Sequence, residues 1–108
     1  MIKKYNKLVR DKIPEIVEKA GENPYFRALN KKEFFEAIKK KILEEAKELA
    51  KAKNRKEIID EVVDIQELTD ILITEMEISK LDVWALRRRK NQKRGGFKKR
   101  LFLIKTKK

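Results

Sequence analysis

The chain has 108 residues, of which 30 are Lys or Arg and 18 are Asp or Glu, giving a formal net charge of +12 at pH 7. It contains neither Cys nor His, which excludes disulfides, thiolate or imidazole metal ligands and acid–base catalysis by imidazole. This length suits one domain, and we expect residues 1–108 to form one. The sequence shows no apolar run long enough to span a bilayer and no signal peptide, so we expect a cytoplasmic protein with no membrane partner.

The positive charge is concentrated in the C-terminal quarter. Residues 81–108 contain twelve Lys or Arg and one acid, Asp82, whereas residues 1–80 contain eighteen basic and seventeen acidic side chains. A segment with this excess of positive charge attracts polyanions, either nucleic acid or the phosphates of a small substrate.

The first thirty residues are predicted to contain one short helix. Residues 5–13 show no clear period. Pro14 suits the first turn of a helix that runs to Lys19 or Ala20, and Gly21 suits the position just after its end. Residues 21–29 are predicted to form a loop.

A second helix is predicted over about residues 31–53, with Asn30 and Glu33 as its N-terminal capping pair. Its apolar residues recur at helical spacing. They are Phe34, Phe35, Ile38, Ile42, Ala46 and Leu49. Glu45 lies inside this apolar arc, and Glu44 and Glu48 lie at its edge. Because a carboxylate is expensive to bury without a partner, the position of Glu45 indicates a bound cation.

Two further helices are predicted downstream. Asn54 and Glu57 repeat the capping pattern and begin a helix over about residues 55–79. A last helix is predicted to begin at Asp82, as N-cap, and to run to about Asn91. The third helix carries an acidic stripe consisting of Glu57, Asp60, Glu61, Asp64 and Glu67. Gly95 and Gly96 end any helix. Residues 101–104 would form either a short strand or an apolar arm that docks on a neighbouring subunit. Trp84, beside two apolar residues, is interpreted as a core residue rather than a base-stacking one.

Two carboxylate clusters are the main functional candidates. Each cluster has its acids at i, i+3 or i+4, so that they share a helical face. The two clusters are Glu44-Glu45-x-x-Glu48 and Glu61-x-x-Asp64. If the two helices pack side by side, five carboxylates converge, and a hard cation such as Mg²⁺ would neutralise them. Charge-rich helices also produce such spacing by chance, so a solvated face with interspersed Lys is the alternative explanation.

Three segments in the same chain order carry a resemblance to a known family. They are YNKLVRDKIP at residues 5–14, the EExxE…ExxD pattern of the two acid clusters, and KRGGF at residues 93–97 followed by an apolar run. Together they resemble the small MazG-like nucleotide pyrophosphohydrolases, a group labelled phosphoribosyl-ATP pyrophosphohydrolase-like.

The resemblance implies an all-α, MazG-like helical bundle. In this chain it would have an irregular N-terminal segment with a short helix (1–30), a helical core (31–92) and a basic tail (93–108). It implies a homodimer or higher oligomer and a Mg²⁺-dependent reaction, with Mn²⁺ as a substitute. A nucleoside triphosphate would be cleaved between its α- and β-phosphates to give the monophosphate and pyrophosphate. Nothing in the residues identifies the base or the sugar, or whether phosphoribosyl-ATP is the substrate.

The same resemblance assigns site residues. The metal ligands would be Glu44, Glu45, Glu48, Glu61 and Asp64, of which Glu45 and Glu48 would also be catalytic. The substrate-binding residues would be Arg10, Lys12, Lys41, Arg94, Phe97 and Lys98. This chemistry needs neither His nor Cys, because phosphoryl transfer depends on positioning and charge neutralisation. The attacking water would be held by the cation or by a carboxylate such as Glu45.

Two other functions are consistent with the same sequence. The chain could be a small basic nucleic-acid-binding protein, in which residues 87–108 form an electrostatic arm and the acids are surface ion pairs. It could also be a MazG-like fold that has lost activity and serves as a binding module, although all five acids are present. We favour the enzyme and keep nucleic acid as the alternative partner.

Overall fold

The computed structural model describes residues 2–108, which contain four α-helices and no strand. The helices are α1 (Ile13–Lys19), α2 (Lys31–Lys51), α3 (Arg55–Glu75) and α4 (Lys80–Arg94). The prediction of an all-α fold is confirmed, and residues 101–104 do not form the strand considered as one alternative. No helix among the described residues has both the length and the apolarity that a membrane span needs.

The chain divides into two compact units, Met1–Leu72 and Ile73–Lys108. The first unit holds α1, α2 and most of α3. The second holds the end of α3, all of α4 and the C-terminal segment. The expected single domain, with its helical core at 31–92 and its basic tail at 93–108, stays a prediction.

The start of α2 is fixed by the capping pair that the sequence predicts. The Asn30 side-chain oxygen accepts the Glu33 backbone N–H at 2.9 Å, and the Glu33 carboxylate accepts the Asn30 backbone N–H at 3.2 Å. The Arg27 guanidinium donates to both carboxylate oxygens of Glu33, at 2.7 and 3.1 Å. The hydrogen bond from Arg27 and the one from the Asn30 backbone lower the pKa of Glu33 to about 2. The preceding loop is thereby joined to the first turn of α2.

The connection between α2 and α3 is short because Asn54 begins a new helix almost at once. Its side-chain oxygen accepts the Glu57 backbone N–H at 2.9 Å, and the Glu57 carboxylate accepts the Lys53 backbone N–H at 3.0 Å. The predicted cap at Asn54 is confirmed, and α2 ends at Lys51, two residues earlier than expected. A connection of three residues is typical of antiparallel neighbouring helices.

Helices α1 and α3 end in the same way. In each, one residue adopts a positive φ, and the next residue donates its N–H to a carbonyl five positions back, a Schellman motif. The positive-φ residue is Gly21 after α1 (φ 89°) and Glu77 after α3 (φ 57°). The closing bonds run from Glu22 to Val17 at 3.2 Å and from Ile78 to Ile73 at 2.9 Å. Gly21 was predicted as a stop, but the end predicted for α3 at residue 79 is wrong, because no glycine signals this turn.

The boundaries of α4 also differ from the prediction. The Ser79 hydroxyl accepts the Leu81 backbone N–H at 3.2 Å, which makes Ser79 the N-cap. Asp82 lies in the first turn, where its charge complements the helix dipole. The helix continues to Arg94 and stops at Gly95, whose φ is 81°. The glycine pair therefore ends the helix as predicted, whereas Asp82 is not the cap.

Little of the described chain is fully buried. Ile38 of α2 is the one fully buried side chain among the described residues, at 0% exposure. Its neighbours Phe34, Phe35, Ile42 and Leu49 are half-buried, which confirms the predicted apolar stripe, whereas Ala46 is exposed. Trp84 is 58% exposed, so its interpretation as a core residue is wrong.

The positive φ at Glu77 predicts that Glu77→Gly stabilises the protein. A side chain in the left-handed region costs energy that glycine avoids, so we expect the free energy of unfolding to rise by about 1 kcal/mol. Urea denaturation followed by circular dichroism measures this change. Gly21→Ala is the matched control, because an added Cβ at Gly21 would contact nothing within 4 Å and the cost is purely conformational. It should destabilise, and a loss of stability from Glu77→Gly would contradict the prediction.

Candidate metal and phosphate site

Helices α2 and α3 bring three carboxylates together in the first unit. Oxygens of Glu45, Glu61 and Asp64 lie within 4.8 Å of one another. Glu45 lies six residues before the end of α2, and Glu61 lies six residues after the start of α3. This symmetry about the short connection matches a helical hairpin, in which such positions face each other. The two acid clusters of the sequence therefore meet through one member of the first and two of the second.

Glu61 is the acid whose environment is least favourable for a negative charge. Its Oε2 atom is shielded from solvent and accepts no hydrogen bond among the described residues. A hydrogen bond shared with Glu45 is the first cause that raises the pKa of Glu61 to about 7, followed by partial burial and the charges of Glu45, Asp64 and Glu48. Such a bond exists only when one of the two carboxyl groups is protonated. Without a cation, the cluster therefore retains a proton near neutral pH.

Glu45 occupies the apolar side of α2, as the sequence indicates. Its side chain is 13% exposed, and the Lys41 ammonium, one turn earlier, lies 3.6 Å from its Oε1. The same ammonium lies 3.3 Å from Glu44, whose side chain is 45% exposed. Glu45 is therefore not a freely solvated surface acid. Lys41 is shared between two carboxylates and only partly compensates either one.

Arg10 joins the N-terminal segment to the cluster. Its Nη2 donates to Asp64 Oδ1 at 2.6 Å, across 54 residues of sequence. The hydrogen bond with Asp64 is also the main reason that the pKa of Arg10 is raised. Its side chain is 59% exposed, so the remaining N–H groups of the guanidinium face open space. An arginine held in this way can donate to a phosphate oxygen without leaving Asp64.

The other two predicted acids lie at the margin of this cluster. Glu44 is paired with Lys41, and Glu48 is exposed beside Glu61. A small depression of about 150 Å³ adjoins the cluster. Its lining residues are Glu48, Lys51, Ala52, Glu57, Asp60 and Glu61. Sequence reasoning did not assign Lys51 and Asp60 to the site, although the acidic stripe of α3 includes Asp60.

The remaining predicted substrate residues are far less enclosed. Lys12 is exposed and immediately precedes α1. In the second unit, Arg94 is the last residue of α4, Phe97 is 97% exposed, and Lys98 is exposed. The Phe97 carbonyl accepts the Arg100 backbone N–H at 3.2 Å. Roles for these four residues in binding phosphate or base stay predictions.

The donor set of the cluster fits a hard divalent cation. All three groups supply carboxylate oxygens. Among the described residues, Oε2 of Glu61 has no hydrogen-bond donor. Glu61 also retains a proton that lowers the repulsion between the carboxylates, and a bound cation would lower it in the same way. Mg²⁺ and Mn²⁺ prefer such ligands. Arg10 adds a guanidinium suited to phosphate at the edge of the same cluster.

Comparison with known proteins identifies one family. Residues 3–91 match the family model described as phosphoribosyl-ATP pyrophosphohydrolase. This match covers the short helix α1, both acid clusters and most of α4. No curated protein and no solved structure matches the chain.

The raised pKa of Glu61 predicts that the metal-free protein loses stability as pH rises. The folded state holds this proton up to about pH 7, whereas an ordinary Glu releases it near 4.5. Stability should therefore fall between about pH 4.5 and 7 and remain low above that range. We expect a lower melting temperature in EDTA at pH 8 than at pH 5.5, and Glu61→Gln should reduce the difference.

Between pH 4.5 and 7 the change in stability comes from Glu61 and not from Glu33, the other carboxyl group whose pKa is strongly shifted. Glu33, with its pKa of about 2, changes stability only as pH falls below about 4.5, and in the opposite direction. Mg²⁺ should raise the melting temperature more at pH 8 than at pH 5.5, because protons compete for the same oxygens. A pH dependence of Glu61→Gln equal to that of the unmodified protein would contradict the prediction.

Proposed function

The chain belongs to the phosphoribosyl-ATP pyrophosphohydrolase family and is a hydrolase acting on phosphoric anhydrides, and from this premise we propose that it cleaves nucleoside triphosphates between the α- and β-phosphates. The products would be a nucleoside monophosphate and pyrophosphate. The observation that carries the proposal is the orphaned Oε2 of Glu61 beside Glu45 and Asp64. Such a cluster can bind a divalent cation, and enzymes bind triphosphates together with divalent cations.

We propose Mg²⁺ as the cation, with Mn²⁺ as a substitute. Glu45, Glu61 and Asp64 would hold it, with Glu44 and Glu48 at the margin of the cluster. When bound, the cation neutralises charge on phosphate oxygens. Its binding would also remove the proton that Glu61 otherwise retains, because the cation takes over the neutralising role of that proton.

The surrounding side chains supply the remaining chemistry. Glu45 is proposed as the group that accepts a proton from the attacking water, because its carboxylate lies beside those of Glu61 and Asp64, where the cation would be held. Glu48, on the same helix, would orient that water. Arg10 would donate to a phosphate oxygen while anchored on Asp64, and Lys41, which lies 3.6 Å from Glu45, would contact the substrate beside that acid.

The cations and the aromatic side chain outside the cluster complete the substrate-binding proposal. Lys12, Arg94 and Lys98 are proposed to contact the phosphate chain, and Phe97 to contact the base. Their exposure suits capture of an anionic ligand from solution. The proposed substrate class is nucleoside triphosphates as a group, and it includes phosphoribosyl-ATP.

The activity test is a panel of nucleoside triphosphates, including phosphoribosyl-ATP and the corresponding diphosphates, incubated with Mg²⁺ in ¹⁸O-labelled water. Pyrophosphate and monophosphate should appear in equal amounts, and one of the two should carry the label. Triphosphates should react, and no orthophosphate should appear from them as a primary product. Release of orthophosphate from a triphosphate, or no turnover of any triphosphate, would overturn the proposed cleavage.

Removing a charge from the cluster should remove activity. We expect Glu45→Gln and Asp64→Asn to lower kcat/KM at least about 100-fold, because each removes a carboxylate that binds the cation or takes the proton. Pyrophosphate release under Mg²⁺ saturation measures the effect. Glu36→Gln is the matched control, because Glu36 is an exposed acid of α2 that pairs only with Lys39, at 3.1 Å. Equal losses in all three variants would contradict the assignment.

We also propose that the working form is a homodimer or a higher homo-oligomer. Ile38 alone is fully buried among the described residues, and α3 exposes a row of apolar side chains that a monomer leaves in water. They are Ile58, Ile59, Val62 and Val63, at 37–52% exposure. A second copy packed on this row would remove these side chains from water.

A charge placed in that apolar row should disrupt the oligomer. Val63→Glu should shift the molar mass in light scattering toward that of the monomer, 12.9 kDa, because a carboxylate cannot be buried unpaired in the interface. Asn23→Glu adds the same charge to an exposed loop residue outside α3 and should leave the mass unchanged. A monomeric unmodified protein at concentrations that support turnover would refute the oligomer.

A further inference from the structure

One face of α4 combines an aromatic ring with guanidinium and amide side chains. These residues line a shallow surface depression and are spaced at i, i+3, i+4, i+7 and i+8, which places them on one side of the helix. They are Trp84, Arg87, Arg88, Asn91 and Gln92. Trp84 is 58% exposed, and the Arg88 guanidinium carbon lies 5.7 Å from the centre of its ring.

The charge around this face exceeds what a triphosphate requires. Residues 81–108 carry twelve Lys or Arg against one acid. The family match ends at Asn91, and the seventeen residues after it contain eight Lys or Arg and no Asp or Glu. Positive charge therefore continues well beyond the segment that defines the family. A long polyanion neutralises such a distribution better than a ligand with three phosphates does.

We propose that this face of α4 is a binding surface for single-stranded nucleic acid, in addition to the hydrolytic site. An unpaired base would stack on Trp84, and the guanidinium groups of Arg87 and Arg88 would contact phosphates. The amide groups of Asn91 and Gln92 would donate hydrogen bonds to base edges and accept hydrogen bonds from them. Aromatic stacking within a basic surface is the usual means of holding single strands without sequence preference.

The composition of the face favours nucleic acid over an anionic membrane. A basic helix that inserts into a membrane surface presents a broad apolar side to the lipid. Here the positions one and two turns after Trp84 are occupied by guanidinium and amide groups, which are suited to phosphates and base edges. A duplex is also disfavoured, because its paired bases are stacked on one another and not free to stack on Trp84.

Trp84 reports directly on the proposal because it is the one tryptophan of the chain. The full-length protein is titrated with a 20-nucleotide oligothymidylate in EDTA, and tryptophan emission is recorded at several salt concentrations. We expect quenching that saturates, and an affinity that falls steeply with salt. Thymidine monophosphate at the same nucleotide concentration should cause no quenching, because it offers one phosphate only.

Two variants separate stacking from charge. Trp84→Leu should weaken binding of a labelled oligonucleotide, measured by anisotropy, about 5-fold or more. Arg87→Gln with Arg88→Gln should lower the slope of log affinity against log salt by about 1.4, at about 0.7 for each phosphate of a single strand that the protein no longer neutralises. Lys39→Gln with Lys40→Gln removes the same charge from α2 and should leave the slope unchanged. Each variant should keep the unmodified circular dichroism spectrum, since the altered side chains are exposed.

Several outcomes would overturn the proposal. These are no change in tryptophan emission with the oligonucleotide, equal slopes for the two double variants, or binding of a 20-base-pair duplex as tight as that of the single strand. A blue shift with phosphatidylserine vesicles, without any response to the oligonucleotide, would assign the face to a membrane surface instead. None of these outcomes depends on pyrophosphate release, so the proposed hydrolysis is judged separately.

Discussion

The close approach of Glu45 to Glu61 and Asp64 is the constraint on which the functional site depends. Three like charges within 4.8 Å oppose folding, and a helical hairpin with an apolar residue in place of Glu45 would avoid that repulsion. The cap at Asn54 nevertheless fixes where α3 begins, and the short connection fixes which turn of α3 faces Glu45. Local capping thus determines the spacing of the acids, and the cation proposed to bind there would relieve their repulsion.

The N-terminal segment offsets part of this repulsion. Its residues 5–13 have no period of their own, yet Arg10 reaches Asp64. Lys41 of α2 lies near both Glu44 and Glu45, so the two cations leave an excess of negative charge, and Glu61 retains a proton near neutral pH. A second basic residue beside Glu61 would make the fold more stable and the cation site weaker.

The sequence predicts the helices of this fold better than it predicts their ends. Caps at Asn30 and Asn54 rest on local hydrogen bonds between residues three apart, so they can be recognised in the sequence. The end of α3 at Glu75 could not be predicted, because the turn that closes it uses Glu77, and a non-glycine residue in the left-handed region has no compositional signal. Ser79, and not Asp82, begins α4 for a similar reason: both are good caps, and the position where the preceding helix stops decides between them.

Within the site, the sequence identifies the helix face on which each acid lies, but not which side chains its carboxylate contacts. Helical spacing indicates that Glu45 faces inward, and its 13% exposure agrees. Spacing could not show that Lys41 would lie near both Glu44 and Glu45, or that Arg10 would be held by Asp64, because these contacts depend on side-chain conformations and, for Arg10, on residues distant in sequence. Three of the five acids place carboxylate oxygens within 4.8 Å of one another, and ligand roles for Glu44 and Glu48 stay predictions. The neighbouring cations do not fully neutralise these three carboxylates, and this excess of negative charge is the physical reason for proposing a divalent ion as the ligand.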